Sequence, residues 1–172
     1  MTDNYYGIII NIETRKGRRK GGWMTTIGEL EGVQPGGTVI VSGQGYIIVE
    51  VDEYKFGDFK WLNLVSHHQD SERLIVFEIA EGKVRRWDEV NLPGATVDDE
   101  TLEYKREKFE RDVTGIPHVS THTEEEDEEG EISYSVLEAE SENKLFIKEN
   151  DDGEVTVYFS EGTVPLDAIR VL

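Results

Sequence analysis

The alternation of apolar and polar positions predicts a chain of strands. In FKWLNLVS, residues 59 to 66, Phe59, Trp61, Asn63 and Val65 share one face, and Lys60, Leu62, Leu64 and Ser66 share the other. Both faces are largely apolar, which predicts a central strand. RLIVFEIAEGKVRRW, residues 73 to 87, reads as two strands joined by a tight turn at Glu81-Gly82. A near copy, KLFIKENDDGEVTVY, returns at residues 144 to 158. Leu74 matches Leu145, Glu78 matches Glu149, Gly82 matches Gly153, Val84 matches Val155 and Trp87 matches Tyr158. The echo predicts an internal duplication.

The remaining pattern is mostly β as well. YYGIIINIET, residues 5 to 14, is dense in β-branched and aromatic types and reads as a strand. RKGRRKGGW, residues 15 to 23, reads as a basic arm or hairpin tip before Trp23 re-enters the fold. Thr26 with Glu29 resembles a capping box and predicts one helical turn near residues 26 to 33. Gly32 and Pro35-Gly36-Gly37 stop it. From Thr38, TVIV, SGQG and YIIVEVDEY read as strand, turn, strand. NLPGATVDDE, residues 91 to 100, reads as a linker.

ETLEYKREKFERDV, residues 100 to 113, has a helical composition and an i,i+4 pair in Glu107 and Arg111. Tyr104, Phe109 and Val113 make a poor helical stripe, so the expectation is a charged edge strand or hairpin. Seven acids between Glu124 and Glu131 predict a solvated, mobile loop. SEGTVPLDAIRVL closes the chain as a turn and a strand, with Pro165 at its edge.

The fold expected is all-β: two similar small antiparallel β-sheets or partly open barrels packed together and related by duplication. Residues 1–23 are expected to form an N-terminal strand and basic arm. Residues 24–95 form a first β-rich half, and residues 96–172 a second half carrying the acidic loop 124–131. The whole is expected to pack as one unit.

Composition narrows the function classes. A chain of 172 residues with 37% apolar residues can bury a core. No apolar run approaches the ~20 residues of a membrane helix, and MTDNYYGIII lacks the basic n-region of a secretory signal. The absence of cysteine removes disulfides, thiolate nucleophiles and cysteine metal ligands, and fits a reducing cytoplasm. The net charge of −19 is unevenly spread: residues 1–23 carry +3 and the other residues −22. Such a body is soluble and repels phosphate backbones.

The order of motifs resembles a known family. Leu30 stands before a Gly-rich turn, followed by GYIIVEV and an aromatic strand around Trp61. LEYKREKFERDV, an acidic spacer, SYSVLEAESENKLFIKEN and EGTVPLDAIRV then follow. Across about residues 27–172 this is similar to the prokaryotic domain of unknown function family 4178. The resemblance implies a β-rich opening half on a G-x-x-Y-x-V strand and a closing half ending in a G-x-x-V strand. It implies no catalytic residues, and it implies partners connected with membrane stress. KWLNL stands where a longer tryptophan-containing strand is usual, and the basic arm lies outside the pattern.

Few residues point to chemistry. His118 and His122 have H-x3-H spacing, which serves a metal when a helix brings i and i+4 together. Pro117 and the neighbours Val119, Thr121 and Thr123 favour an extended chain, placing the two Cα atoms ~13 Å apart. His67 and His68 are adjacent and point apart on such a chain. The acidic run lacks the calcium ladder of an EF-hand. No G-x-S-x-G, Walker or G-x-G-x-x-G motif occurs. Among so many acids, sequence alone singles out no acid–base pair. The aromatics Trp23, Tyr46, Trp61, Trp87 and Tyr158 read as core and cross-strand residues.

Arg15, Lys16, Arg18, Arg19 and Lys20 are the localised cationic signal. Near an anionic membrane each cation contributes ~1 kcal/mol. The expected role is therefore a non-catalytic binding or scaffolding module of the cytoplasm, with a protein partner and no cofactor or metal. Direct nucleic-acid binding is disfavoured. The alternatives are a peripheral membrane-stress accessory protein using residues 15–20, an acidic nucleic-acid mimic occupying a DNA-binding partner, and an unrecognised hydrolase.

Overall fold

A computed structural model describes residues 25–68 and 71–172. The expected first strand, residues 5–14, and the basic arm with Trp23 lie outside the described residues. The first element among the described residues is a short helix, α1 (Ile27–Glu31). Thr26 caps it, its Oγ1 accepting from the Glu29 amide at 3.2 Å, as the capping-box spacing predicts.

Fourteen strands follow among the described residues. The first five are β1 (Thr38–Val41), β2 (Gln44–Phe56), β3 (Phe59–His67), β4 (Leu74–Ala80) and β5 (Lys83–Val90). Next come β6 (Thr101–Tyr104), β7 (Glu107–Gly115), β8 (His118–His122), β9 (Asp127–Glu131) and β10 (Ser133–Glu138). The last are β11 (Lys144–Glu149), β12 (Val155–Ser160), β13 (Thr163–Val164) and β14 (Ile169–Val171), with a 3-10 turn at Leu166–Ala168. The linker stretch is packed, since it buries Ala95 and Val97. Residues 101–115 form the hairpin β6–β7, turned by Lys105-Arg106 with both φ angles positive.

The fold is all-β, and every ladder among the described residues is antiparallel. The halves are joined in one open sheet, ordered β14-β1-β2-β3-β4-β5-β12-β11-β10-β7-β6. The join is the β5–β12 ladder, where Val90, Glu89 and Asp88 face Val157, Tyr158 and Phe159. Three further strands cross the expected halves: β14 pairs β1, β8 pairs β2 and β13 pairs β5. The expected pair of separate sheets is therefore one continuous sheet.

The expected acidic loop is also corrected. Asp127–Glu131 is a strand, β9, paired with β8 and exposed at all five residues. A ladder needs only backbone N–H and C=O groups, so acids that cannot pack together still form an edge strand when each faces water.

Three apolar layers hold the sheet. The first lies under α1, around Leu30, Ile48, Leu64 and Phe77. The third lies under residues 95–97, around Phe109, Leu137, Leu145 and Ile147. The middle layer lies where the sheet curls over itself. It gathers Tyr54, Trp61, Val65, Val76, Trp87, Val119, Tyr134, Phe146 and Tyr158 from both halves. Trp61 on β3 reaches Tyr134 on β10, with ring centroids 5.6 Å apart. Trp61 also stacks on its cross-strand partner Tyr54 at 4.7 Å.

Candidate functional site

A polar cavity sits inside the middle layer. A break in β2 creates it. Tyr46 and Ile48 face the first apolar layer, and strict alternation would send Glu50, Asp52 and Tyr54 there too. The β2–β3 register instead shifts between Ile48 and Glu50. The extra residue inverts the phase. Val51 then faces the first layer, while Glu50, Asp52 and Tyr54 turn into the middle.

Neighbouring strands complete the cavity. Asn63 and Val65 come from β3, Glu78 from β4, Trp87 from β5, Lys148 from β11 and Tyr158 from β12. The enclosed space is ≈ 30 Å3, enough for one or two water-sized guests. Asp52 is 2% exposed and Asn63 9%. Their Oδ1 atoms find no hydrogen-bond partner among the described residues.

The electrostatics follow from burial. Desolvation raises the Glu50 pKa to about 7, and the nearby Asp52 carboxylate adds to the rise. Burial also raises Asp52, against the pull of Lys148 and a contact with Thr121. Glu78 is raised by burial as well, partly offset by a hydrogen bond from Trp87 and by the Arg85 charge. Burial pushes the Tyr54 and Tyr158 hydroxyls up. Two close carboxyls in a desolvated place do not ionise together easily, so Glu50 and Asp52 behave as a pair that retains a proton.

The cavity communicates with an acidic groove of ≈ 470 Å3 through two shared residues, Glu50 and Lys148. Glu128, Glu129 and Glu131 of β9 line one side of the groove, and Asp151 and Asp152 line the other. At the start of β9, the turn is fixed by Thr123, whose Oγ1 accepts from the Glu125 and Glu126 amides.

The histidines with H-x3-H spacing lie on β8 and take separate partners. His118 Nε2 meets Glu129 at 3.1 Å. His122 lies between Asp127, 2.9 Å from Nδ1, and Glu53, 3.3 Å from Nε2. The hydrogen bond to Asp127 raises the His122 pKa. The two rings serve as cross-strand ties between β8 and its neighbours and are not brought to one centre. Among the described residues no group of three or more His, Asp or Glu side chains is arranged for a metal ion. Arg15, Lys16, Arg18, Arg19 and Lys20 lie outside the described residues. Among those described, no helix is long and apolar enough to cross a membrane.

Sequence reasoning missed Glu50, Asp52, Glu78 and Lys148. One readable signal was Asn63, an amide between Trp61 and Val65 on an otherwise apolar face. The bulge that turns Glu50 and Asp52 inward leaves no mark in the alternation of YIIVEVDEY.

The fold and site define an all-β protein of one open, curled antiparallel sheet with a charged interior cavity beneath an acidic edge. No family model matches the chain, and neither a curated protein nor a solved structure matches it.

Proposed function

We propose that this chain is a non-catalytic binding module that takes a lysine- and arginine-rich segment of a protein partner on its acidic edge. The carrying observation is β9: its carboxylates stand on a hydrogen-bonded strand, with Asp151 and Asp152 across a groove. Fixed like charges cost less to present to a partner than charges on a mobile loop, because the ordering is already done in the free protein. A basic segment is the occupant that relieves their mutual repulsion.

The test is binding of a labelled oligolysine to the full chain at low and high salt. Reversing two groove acids, E128K/E131K, is expected to weaken binding about tenfold or more, whereas E31K/E103K, with the same charge change elsewhere, weakens it far less. Binding that ignores salt, or equal losses in the two variants, contradicts the reading.

A further inference from the structure

We propose that the inner cavity binds an ammonium-type cation, either free ammonium or the terminal amine of a lysine, with Asp52 Oδ1 and Asn63 Oδ1 as acceptors. Both atoms are buried, both residues line the cavity, and neither atom has a partner among the described residues. Buried acceptors call for donors. The ammonium group is the donor-rich guest of water size, whereas a guanidinium is larger than the space allows.

The surrounding charge favours a cation. Glu50 and Asp52 on β2 and Glu78 on β4 point inward. The groups facing them are Lys148 of β11, Arg85 of β5, Lys144 at the start of β11, His122 and Thr121 of β8, Glu128 of β9, and the hydroxyls of Tyr54 and Tyr158. Lys148 stands where cavity and groove meet, so a guest entering from the groove passes it. The carboxylates outnumber the one cation on the cavity wall, and their neutralisation by a retained proton is the state a bound ammonium replaces.

The site stands whether or not the groove takes a partner. The test is calorimetric titration of the full chain with ammonium, methylammonium, potassium and tetramethylammonium chlorides at matched ionic strength. Saturable one-site binding of ammonium and methylammonium, with no such binding of tetramethylammonium, is the expected result. Asp52→Asn is expected to weaken ammonium about tenfold or more, and Asn63→Leu to weaken it in the same direction. The cation series on the unaltered chain needs neither variant to fold. Displacement of ammonium by oligolysine and not by oligoarginine assigns the guest to a lysine head, and retention against both assigns it to the free ion. Absence of saturable ammonium binding overturns the proposal, as does an equal response to all four salts. Ammonium uptake that survives in E128K/E131K separates failure of the groove from failure of the cavity.

Discussion

The hairpins β4–β5 and β11–β12 look alike in sequence and differ by one residue of register. Val76 faces Trp87 in the first, and Phe146 faces Tyr158 in the second. The turning strands thus correspond at an offset of 71 and the leading strands at 70. Residues 150–154 make a longer connection than Glu81-Gly82, and the odd residue is absorbed there. Leu74 therefore packs on the middle layer, whereas its sequence match Leu145 packs on the third. The spatial counterpart of Glu78 is Lys148, not Glu149, and both line the cavity. The lesson is that a one-residue change of phase leaves the apolar pattern of a hairpin intact while changing which charges it delivers inward.

Both hairpins also carry an apolar outer face, and there the two halves should behave alike. Phe77→Ala opens the first layer and Ile147→Ala the third, at residues 2% and 0% exposed. Each is expected to cost about 3 kcal/mol or more in denaturant unfolding. A loss below about 1 kcal/mol in one of them would show that its layer is not a core.

The charged middle should behave differently. Glu50, Asp52 and Glu78 have raised pKa values in the folded chain. Below their unfolded values both states hold these protons equally. As the pH rises, the unfolded chain releases them first, so stability falls until the folded pKa is reached, about 7 for Glu50. His122, raised by Asp127, contributes in the same direction, its stabilisation being lost as the pH passes its raised value. Melting temperature is therefore expected to decline from pH 4.5 to 7, and more gently in Glu50→Gln. An identical slope in that variant would remove Glu50 from the account.

The sequence disclosed the elements more readily than their arrangement. The strand alternation of residues 59–66, the tight turn at Glu81-Gly82 and the Thr26–Glu29 cap are local, so neighbouring residues carry the information. The hairpin at 100–113 was legible because Tyr104, Phe109 and Val113 fail as a helical stripe. The strand β9 was not, since composition describes side chains and its order comes from backbone pairing with β8. Nor were the β5–β12 ladder and the bulge after Ile48, which depend on partners distant in the chain. The site follows from that bulge, so it was hidden for the same reason.

Three apolar layers support the sheet, and the carboxylates inside the middle one are proposed to serve a guest and not the fold. Thermal unfolding of Asp52→Asn at pH 7 tests this most directly. Removing a buried charge whose ionisation is disfavoured, in a side chain of the same shape, should leave the melting temperature unchanged or raised. A fall of more than about 3 °C would make Asp52 a structural residue and contradict the account.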